Sequence, residues 1–218
     1  VSTGPVALGI PPALVSGRRI GLFGGSFNPP HAGHLAVAEA ALGRLRLDEV
    51  WWLVATRNPL KDPADVADLE RRLRLTRDMA GSNPRFRVLD LERRAGTRYT
   101  ADLLDALGPL MGEGLFVWIM GADSFATLHL WGRWRSIPRR VPLAVFDRPG
   151  WGLRALFGPA ATVLRRHRVP ERDAALLPEL EPPAWSFLRM PLRPESSTCI
   201  RHPEARPDST CGPSGHAA

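Results

Sequence analysis

The 218 residues are 44% hydrophobic, which suits one α/β domain with a sizeable core and leaves little length for a second. The net charge of +7 raises the question of a nucleic-acid partner. Lys61 is the single lysine, and the arginines are scattered rather than gathered into a stripe, so no nucleic acid is expected and the charge serves at most to attract polyanionic nucleotides.

Cys199 and Cys211 lack close metal-ligand companions, which points to neither a disulfide framework nor a zinc site. No apolar run reaches the roughly 18 residues of a membrane span. The opening segment carries Pro5, Pro11 and Pro12 and no basic stretch of the kind a signal peptide has. A soluble, cytoplasmic protein with no membrane partner is expected.

Residues 1–17 read as a disordered leader, 18–201 as the single domain and 202–218 as a disordered tail. Arg19–Phe23 is a short buried strand that runs into the turn Gly24-Gly25-Ser26-Phe27-Asn28-Pro29-Pro30. Leu35, Ala38, Leu42 and Leu45 follow at helical spacing, and Val50–Ala55 is a second buried strand, giving a parallel β-α-β unit. A helix is expected over Asp68–Ala80, with Leu69, Leu73, Thr76 and Met79 inward, then a strand at Phe86–Leu91 and a helix capped by Thr100 that runs through Leu107.

Leu115–Met120, the most apolar run, is expected at the centre of the sheet. Gly121-Ala122-Asp123-Ser124 then turns into a helix carrying Trp131 and Trp134, and Pro142–Phe146 is another strand. Two late strands are expected at Thr162–Arg166 and Trp185–Met190. The alternation implies a Rossmann-like, doubly wound, mostly parallel sheet that binds ligands at the carboxyl ends of its strands.

Gly24 and Gly25, directly after a strand and before a helix, let the backbone approach an anion and offer N–H donors to it. Alone, such a pair is an ordinary tight turn, and its spacing fits no P-loop or dinucleotide fingerprint. His31 and His34, three residues apart at the helix start, both face the space in front of that helix N-terminus. Two imidazoles there can donate to phosphate oxygens and offset charge on a leaving group. Asp123 suits ribose hydroxyls or a helix cap, and Trp131 suits stacking on an aromatic cation or burial in the core.

The string from Gly24 to Leu35 resembles the G-[ST]-F-[DN]-P-x-H-x-G-H motif of the H-x-G-H nucleotidyltransferases. Ser196-Ser197-Thr198-Cys199-Ile200-Arg201 is similar to that superfamily's S-[ST]-T-x-[IL]-R element. Within the superfamily, the middle of the chain resembles the bacterial nicotinate-nucleotide adenylyltransferases. Asn58-Pro59-Leu60-Lys61 is similar to their N-P-x-K loop and Arg98-Tyr99-Thr100 to their [RS]-Y-T element, with Leu103 replacing the usual second threonine. Gly121-Ala122-Asp123-Ser124 with Trp131 resembles their G-x-D-[SN] element and its tryptophan, and Asp147-Arg148-Pro149-Gly150 their R-P-G turn. His202–Ala218 departs from the family, which continues with an apolar segment.

The resemblance implies transfer of AMP from ATP to nicotinate mononucleotide, giving deamido-NAD and pyrophosphate, with Mg²⁺ on the ATP phosphates and no metal ligand from the protein. It assigns His31 and His34 to catalysis, and ATP to these two with Gly24, Gly25, Ser26, Phe27, Gly121, Asp123, Ser197, Thr198 and Arg201. The mononucleotide falls to Asn58, Lys61, Tyr99, Thr100, Trp131 and Arg148. Nicotinamide mononucleotide or phosphopantetheine as acceptor, and a catalytically impaired nucleotide-binding protein, stand as alternatives.

Overall fold

The computed structural model describes residues 8–56, 66–191, 193 and 195–201. Six parallel strands form one sheet in the order β3-β2-β1-β4-β5-β6. They are β1 (Arg19–Gly25), β2 (Glu49–Val54), β3 (Phe86–Leu89), β4 (Leu115–Gly121), β5 (Leu143–Phe146) and β6 (Trp185–Leu188). Strand order reverses between β1 and β4, which opens a crevice outside their carboxyl ends, the place where ligands bind in doubly wound sheets.

Side-chain alternation divides the core. In β2, Trp51 and Leu53 join one apolar cluster, while Val50, Trp52 and Val54 join the other. In β4, Phe116, Trp118 and Met120 take the first face and Val117 and Ile119 the second. Both faces are covered, which is why these strands read as continuous apolar runs.

Helices α1 (Ala32–Arg44) and α2 (Leu69–Ala80) pack on the second face. On the first lie α3 (Leu91–Ala95), α4 (Thr100–Met111), α5 (Ala122–Ala126), α6 (Gly152–Phe157) and α7 (Pro159–Leu164). Helix α8 (Ser197–Arg201) ends the described chain. Asp68, expected as the first helical residue, instead caps α2 by accepting from the Arg71 N–H at 2.9 Å. No helix among the described residues is long and apolar enough to cross a membrane.

Away from the crevice, Glu49 starts β2 as a buried carboxylate bonded by Arg87, Trp51 and Arg18. Burial pushes its pKa up, and the bonds from Arg87 and Trp51 more than offset this and hold it below the usual carboxylate range.

The structure corrects several sequence expectations. Residues 8–17 are not a free leader: Leu8, Ile10 and Val15 are buried in the main core, and the Arg94 guanidinium donates to the Leu8 carbonyl at 3.1 Å. Thr162–Arg166 is helical, because Pro159 at the first position of α7 presets the helical φ and the β-branched pair Thr162-Val163 follows within it. The strand expected to reach Leu91 stops at Leu89, where Asp90 binds Arg93 and Arg94 and opens α3.

The helix after Gly121 spans five residues and gives way to 3-10 turns over Leu128–Leu130 and Trp134–Arg139, with Gly132 between them, so Trp131 lies between helices rather than on one. Thr100 is the first residue of α4 rather than its cap, and the helix continues to Met111 with Pro109 inside it.

Candidate active site

The turn after β1 carries the first element of the site. A Cβ on Gly24 would lie 2.4 Å from the Trp118 ring, so only glycine lets this backbone lie so close over the neighbouring strand. Phe27 adopts φ 45°, a left-handed conformation that costs a non-glycine residue about 1 to 3 kcal/mol. Its buried ring compensates by packing on Phe23, Trp52 and His34 at centroid distances of 5.4, 5.3 and 5.1 Å.

His31 caps α1 and His34 sits in its first turn, with ring centroids 3.8 Å apart. The His31 backbone N–H donates to His34 Nδ1 at 3.2 Å, which leaves the proton of the neutral His34 ring on Nε2. The side-chain Nδ1 of His31 is buried and has no hydrogen-bond partner among the described residues. Burial and the nearby Arg148 guanidinium bring the His31 pKa down to about 4, against an opposing pull from Glu195. At neutral pH it is therefore an uncharged donor or acceptor rather than a cation.

Arg148 reaches this spot over two glycines. A Cβ on Gly33 would lie 2.8 Å from its Nη1 and 3.0 Å from the His31 ring, and one on Gly121 would lie 3.2 Å from its Cγ. The Asp123 carboxylate folds back over the same Gly121, 2.4 Å from where that Cβ would stand. The arginine expected at the mononucleotide thus lies beside the histidines and Asp123, on the side expected for ATP.

The distant C-terminal motif docks on the same turn. Ser197 Oγ donates to the Pro29 carbonyl at 2.9 Å, and the Arg201 guanidinium donates to the Asn28 carbonyl and, at 3.3 Å, to that of Ser197. Ser196 accepts from the Cys199 N–H at 3.1 Å and so caps α8, while Thr198 is exposed on its first turn. The two motifs are 168 residues apart in sequence at the Ser197–Pro29 contact.

Beyond the end of β2 a cleft of about 540 Å³ is lined by Thr56, Glu92, Arg93, Gly96, Thr97, Arg98, Tyr99 and Asp102. The Tyr99 ring rests on Gly132, where a Cβ would come within 3.0 Å, which brings it to the residue that follows Trp131 in the chain. Arg133 Nη1 binds Asp102 at 2.7 Å and Asp105 at 2.9 Å, which ties the Trp131 turn to α4. Thr97 rather than Thr100 supports the turn, accepting from the Tyr99 N–H and donating to Asp102, both at 3.3 Å. Asn58 and Lys61 lie outside the described residues.

The profile of cytidylyltransferase-like proteins matches residues 22–202, most of the chain. The chain belongs to the cytidylyltransferase-like family. A probable nicotinate-nucleotide adenylyltransferase of Parvibaculum lavamentivorans is 50% identical over 188 residues, covering 86% of this chain and 93% of its own length. A Brucella suis protein of the same name is 47% identical over 182 residues, covering 84% and 93%. The solved Plasmodium falciparum nicotinic acid mononucleotide adenylyltransferase in complex with NaAD superposes with a TM-score of 0.63 at 16% identity, covering 84% of this chain and 82% of that one, a likeness of fold.

For a cytidylyltransferase-like chain, sequence reading missed three residues of this site. Arg72 is buried behind the glycine turn, Glu92 is buried in the cleft wall, and Thr56, which also lines that cleft, buries its Oγ1 without a partner among the described residues. Arg72 carried a signal: it falls on the inward stripe of α2 with Leu69, Leu73 and Thr76, where an arginine has to find acceptors.

Proposed function

We infer that the protein transfers AMP from ATP to nicotinate mononucleotide, forming deamido-NAD and pyrophosphate. The observation that carries the reaction type is the buried, unpartnered Nδ1 of His31, stacked beside His34 at the N-terminus of α1 and next to Arg148. A buried polar atom without a partner is costly, and a polyphosphate oxygen supplies what is missing. The acceptor is supported by the named activity of relatives about half identical over nearly their whole length.

In this reaction an oxygen of the mononucleotide phosphate forms the new bond to the α-phosphorus of ATP. The bond from that phosphorus to the α–β bridging oxygen breaks, and pyrophosphate leaves with the electron pair. No protein nucleophile takes part. The backbone of Gly24, Gly25, Ser26 and Phe27 and the two imidazoles hold the phosphates, and Arg148 offsets charge on them. Once polyphosphate lies beside it, the His31 pKa rises from its low free-enzyme value. Asp123 accepts from ribose hydroxyls, and Ser197, Thr198 and Arg201 close the phosphate side from α8.

Tyr99, Thr100 and Trp131, with Asn58 and Lys61 from the segment after β2, hold the mononucleotide in the cleft at the end of that strand. Mg²⁺ fits this donor set as the complex of ATP: the groups gathered here are N–H and hydroxyl donors suited to phosphate oxygens, and among the described residues no cluster of three His, Cys, Asp or Glu could hold an ion. When bound, the ion spreads the negative charge of the departing pyrophosphate. The cytoplasm, where ATP and mononucleotides are available, is the proposed compartment.

Purified protein with ATP, Mg²⁺ and either nicotinate or nicotinamide mononucleotide, followed by pyrophosphate release, tests the reading. Release is expected with nicotinate mononucleotide, and His34→Ala should lower turnover by about 100-fold or more, as loss of an electrostatic donor does, while acceptor affinity changes little. ATP binding without turnover on either acceptor overturns it.

A further inference from the structure

Arg72 is 2% exposed, and among the described residues no carboxylate forms a salt bridge with it, although Glu92 and Asp68 attract it from further off; its guanidinium donates to backbone carbonyls. Nε donates to Ala67 at 2.9 Å, Nη1 to Ser26 at 2.9 Å and to Ala55 at 2.7 Å, and Nη2 to Thr56 at 3.0 Å. Ser26 belongs to the phosphate turn after β1. Ala55 and Thr56 directly follow β2, and Thr56 lines the acceptor cleft. One side chain therefore bridges the two half-sites whose relative position decides the reaction.

A second group completes the clamp. Glu92 Oε2 accepts from the Thr56 N–H at 2.7 Å, so Thr56, which lines the cleft, is held by its carbonyl from Arg72 and by its amide from Glu92. The Asn28 Oδ1 accepts from the Ala67 N–H at 3.1 Å, which ties the phosphate turn to the chain entering α2 through another route. The planar guanidinium is what makes the bridge possible. A lysine could keep the charge and one or two of these bonds, but its point-like ammonium cannot reach carbonyls set out in a fork.

We propose that Arg72 is a positioning residue that holds the phosphate turn and the acceptor side in register for in-line transfer. It touches no substrate, and it acts through Ser26, Ala55 and Thr56. The inference rests on the adenylyl transfer proposed above, because register matters only where two bound phosphates must align within a fraction of an ångström.

Arg72→Lys and Arg72→Met, compared with wild type, test this by steady-state kinetics at saturating ATP and acceptor. Alongside, calorimetry measures the affinity of each variant for a non-hydrolysable ATP analogue and for the mononucleotide separately. The expected result is a fall in kcat of about 30-fold or more in both variants, with each separate affinity within about threefold of wild type. Addition of free methylguanidinium is expected to restore part of the turnover of Arg72→Met.

Turnover within twofold of wild type overturns the inference. So does a parallel loss of both affinities that accounts for the lost activity, or failure of both variants to fold, since either makes Arg72 a structural residue only. Wild type that releases no pyrophosphate on any acceptor overturns the adenylyl transfer reading instead, whereas active wild type with undiminished variants overturns this inference alone.

Discussion

His31 illustrates how one position serves two demands. Its backbone begins a helix and its imidazole fills the space in front of it, at the cost of burying a titratable ring beside a guanidinium. The pKa near 4 has a consequence for stability. Between pH 6.5 and about 4 the unfolded chain binds a proton that the folded ring refuses, so stability present above pH 6.5 is lost as pH falls through that window. Glu92 works in the opposite sense: burial pushes its carboxyl up to about 7, against the pull of the Thr56 N–H and of Arg72, and favours the folded state as pH falls towards its ordinary value. The two slopes overlap, so a comparison isolates the first. Urea unfolding at pH 7 and pH 4.5 is expected to show wild type losing more stability than His31→Gln over that interval, and equal losses would contradict the assignment.

At the same scale, the glycine turn and both histidines were legible in the sequence because their spacing is local. Arg72 and Glu92 were not, because what they do depends on carbonyls and amides brought to them by other strands. The position of Arg148 beside the histidines was not legible for the same reason: its approach to Gly33 and Gly121 joins segments far apart in the chain.

Among elements, the six strands were largely readable, since strands buried on both faces form apolar runs that stand out without any periodicity. The failures were short helices. Helix α3 has five residues, and α5 gives way to 3-10 turns, too few residues for a helical period to register. These short pieces nonetheless lie around the cleft beyond β2, and Arg133 ties the 3-10 turns to α4.

Its ion pairs with Asp102 and Asp105 are largely solvent-exposed, so screening by water and salt leaves them little weight in folding. Their geometric effect is larger, since they set the Trp131 turn against Tyr99. Arg133→Ala should leave the urea midpoint nearly unchanged and raise the KM for the mononucleotide by about threefold to tenfold, with the KM for ATP unaffected. An effect on ATP alone would place the cleft in the wrong half of the site.

For the whole molecule, the order of the sheet puts β1 and β4 side by side with helices leaving in opposite directions, so the crevice at their ends follows from topology. The core that supports it reaches into a segment the sequence marked as a leader. Leu8, Ile10 and Val15 are each at most 5% exposed, and fully burying side chains of this kind contributes about 1.5 to 3 kcal/mol apiece. Removal of residues 1–17 is therefore expected to destabilise the fold on the order of 5 kcal/mol, read as a lowered urea midpoint, while an unchanged midpoint would make the segment dispensable. Pro11 and Pro12 disguised it, because they rule out a strand or a long helix there and leave room only for the 3-10 turn Pro12–Leu14, without forbidding burial.

The central claim is direct transfer between two bound nucleotides, positioned by His31, His34 and the glycine turn without a covalent enzyme intermediate. The stereochemical course tests it most directly: turnover of nicotinate mononucleotide with ATP carrying a chiral sulfur-substituted α-phosphorus, followed by assignment of the configuration in the dinucleotide product. Inversion is predicted for a single in-line displacement, and retention, or absence of any dinucleotide, would contradict the account.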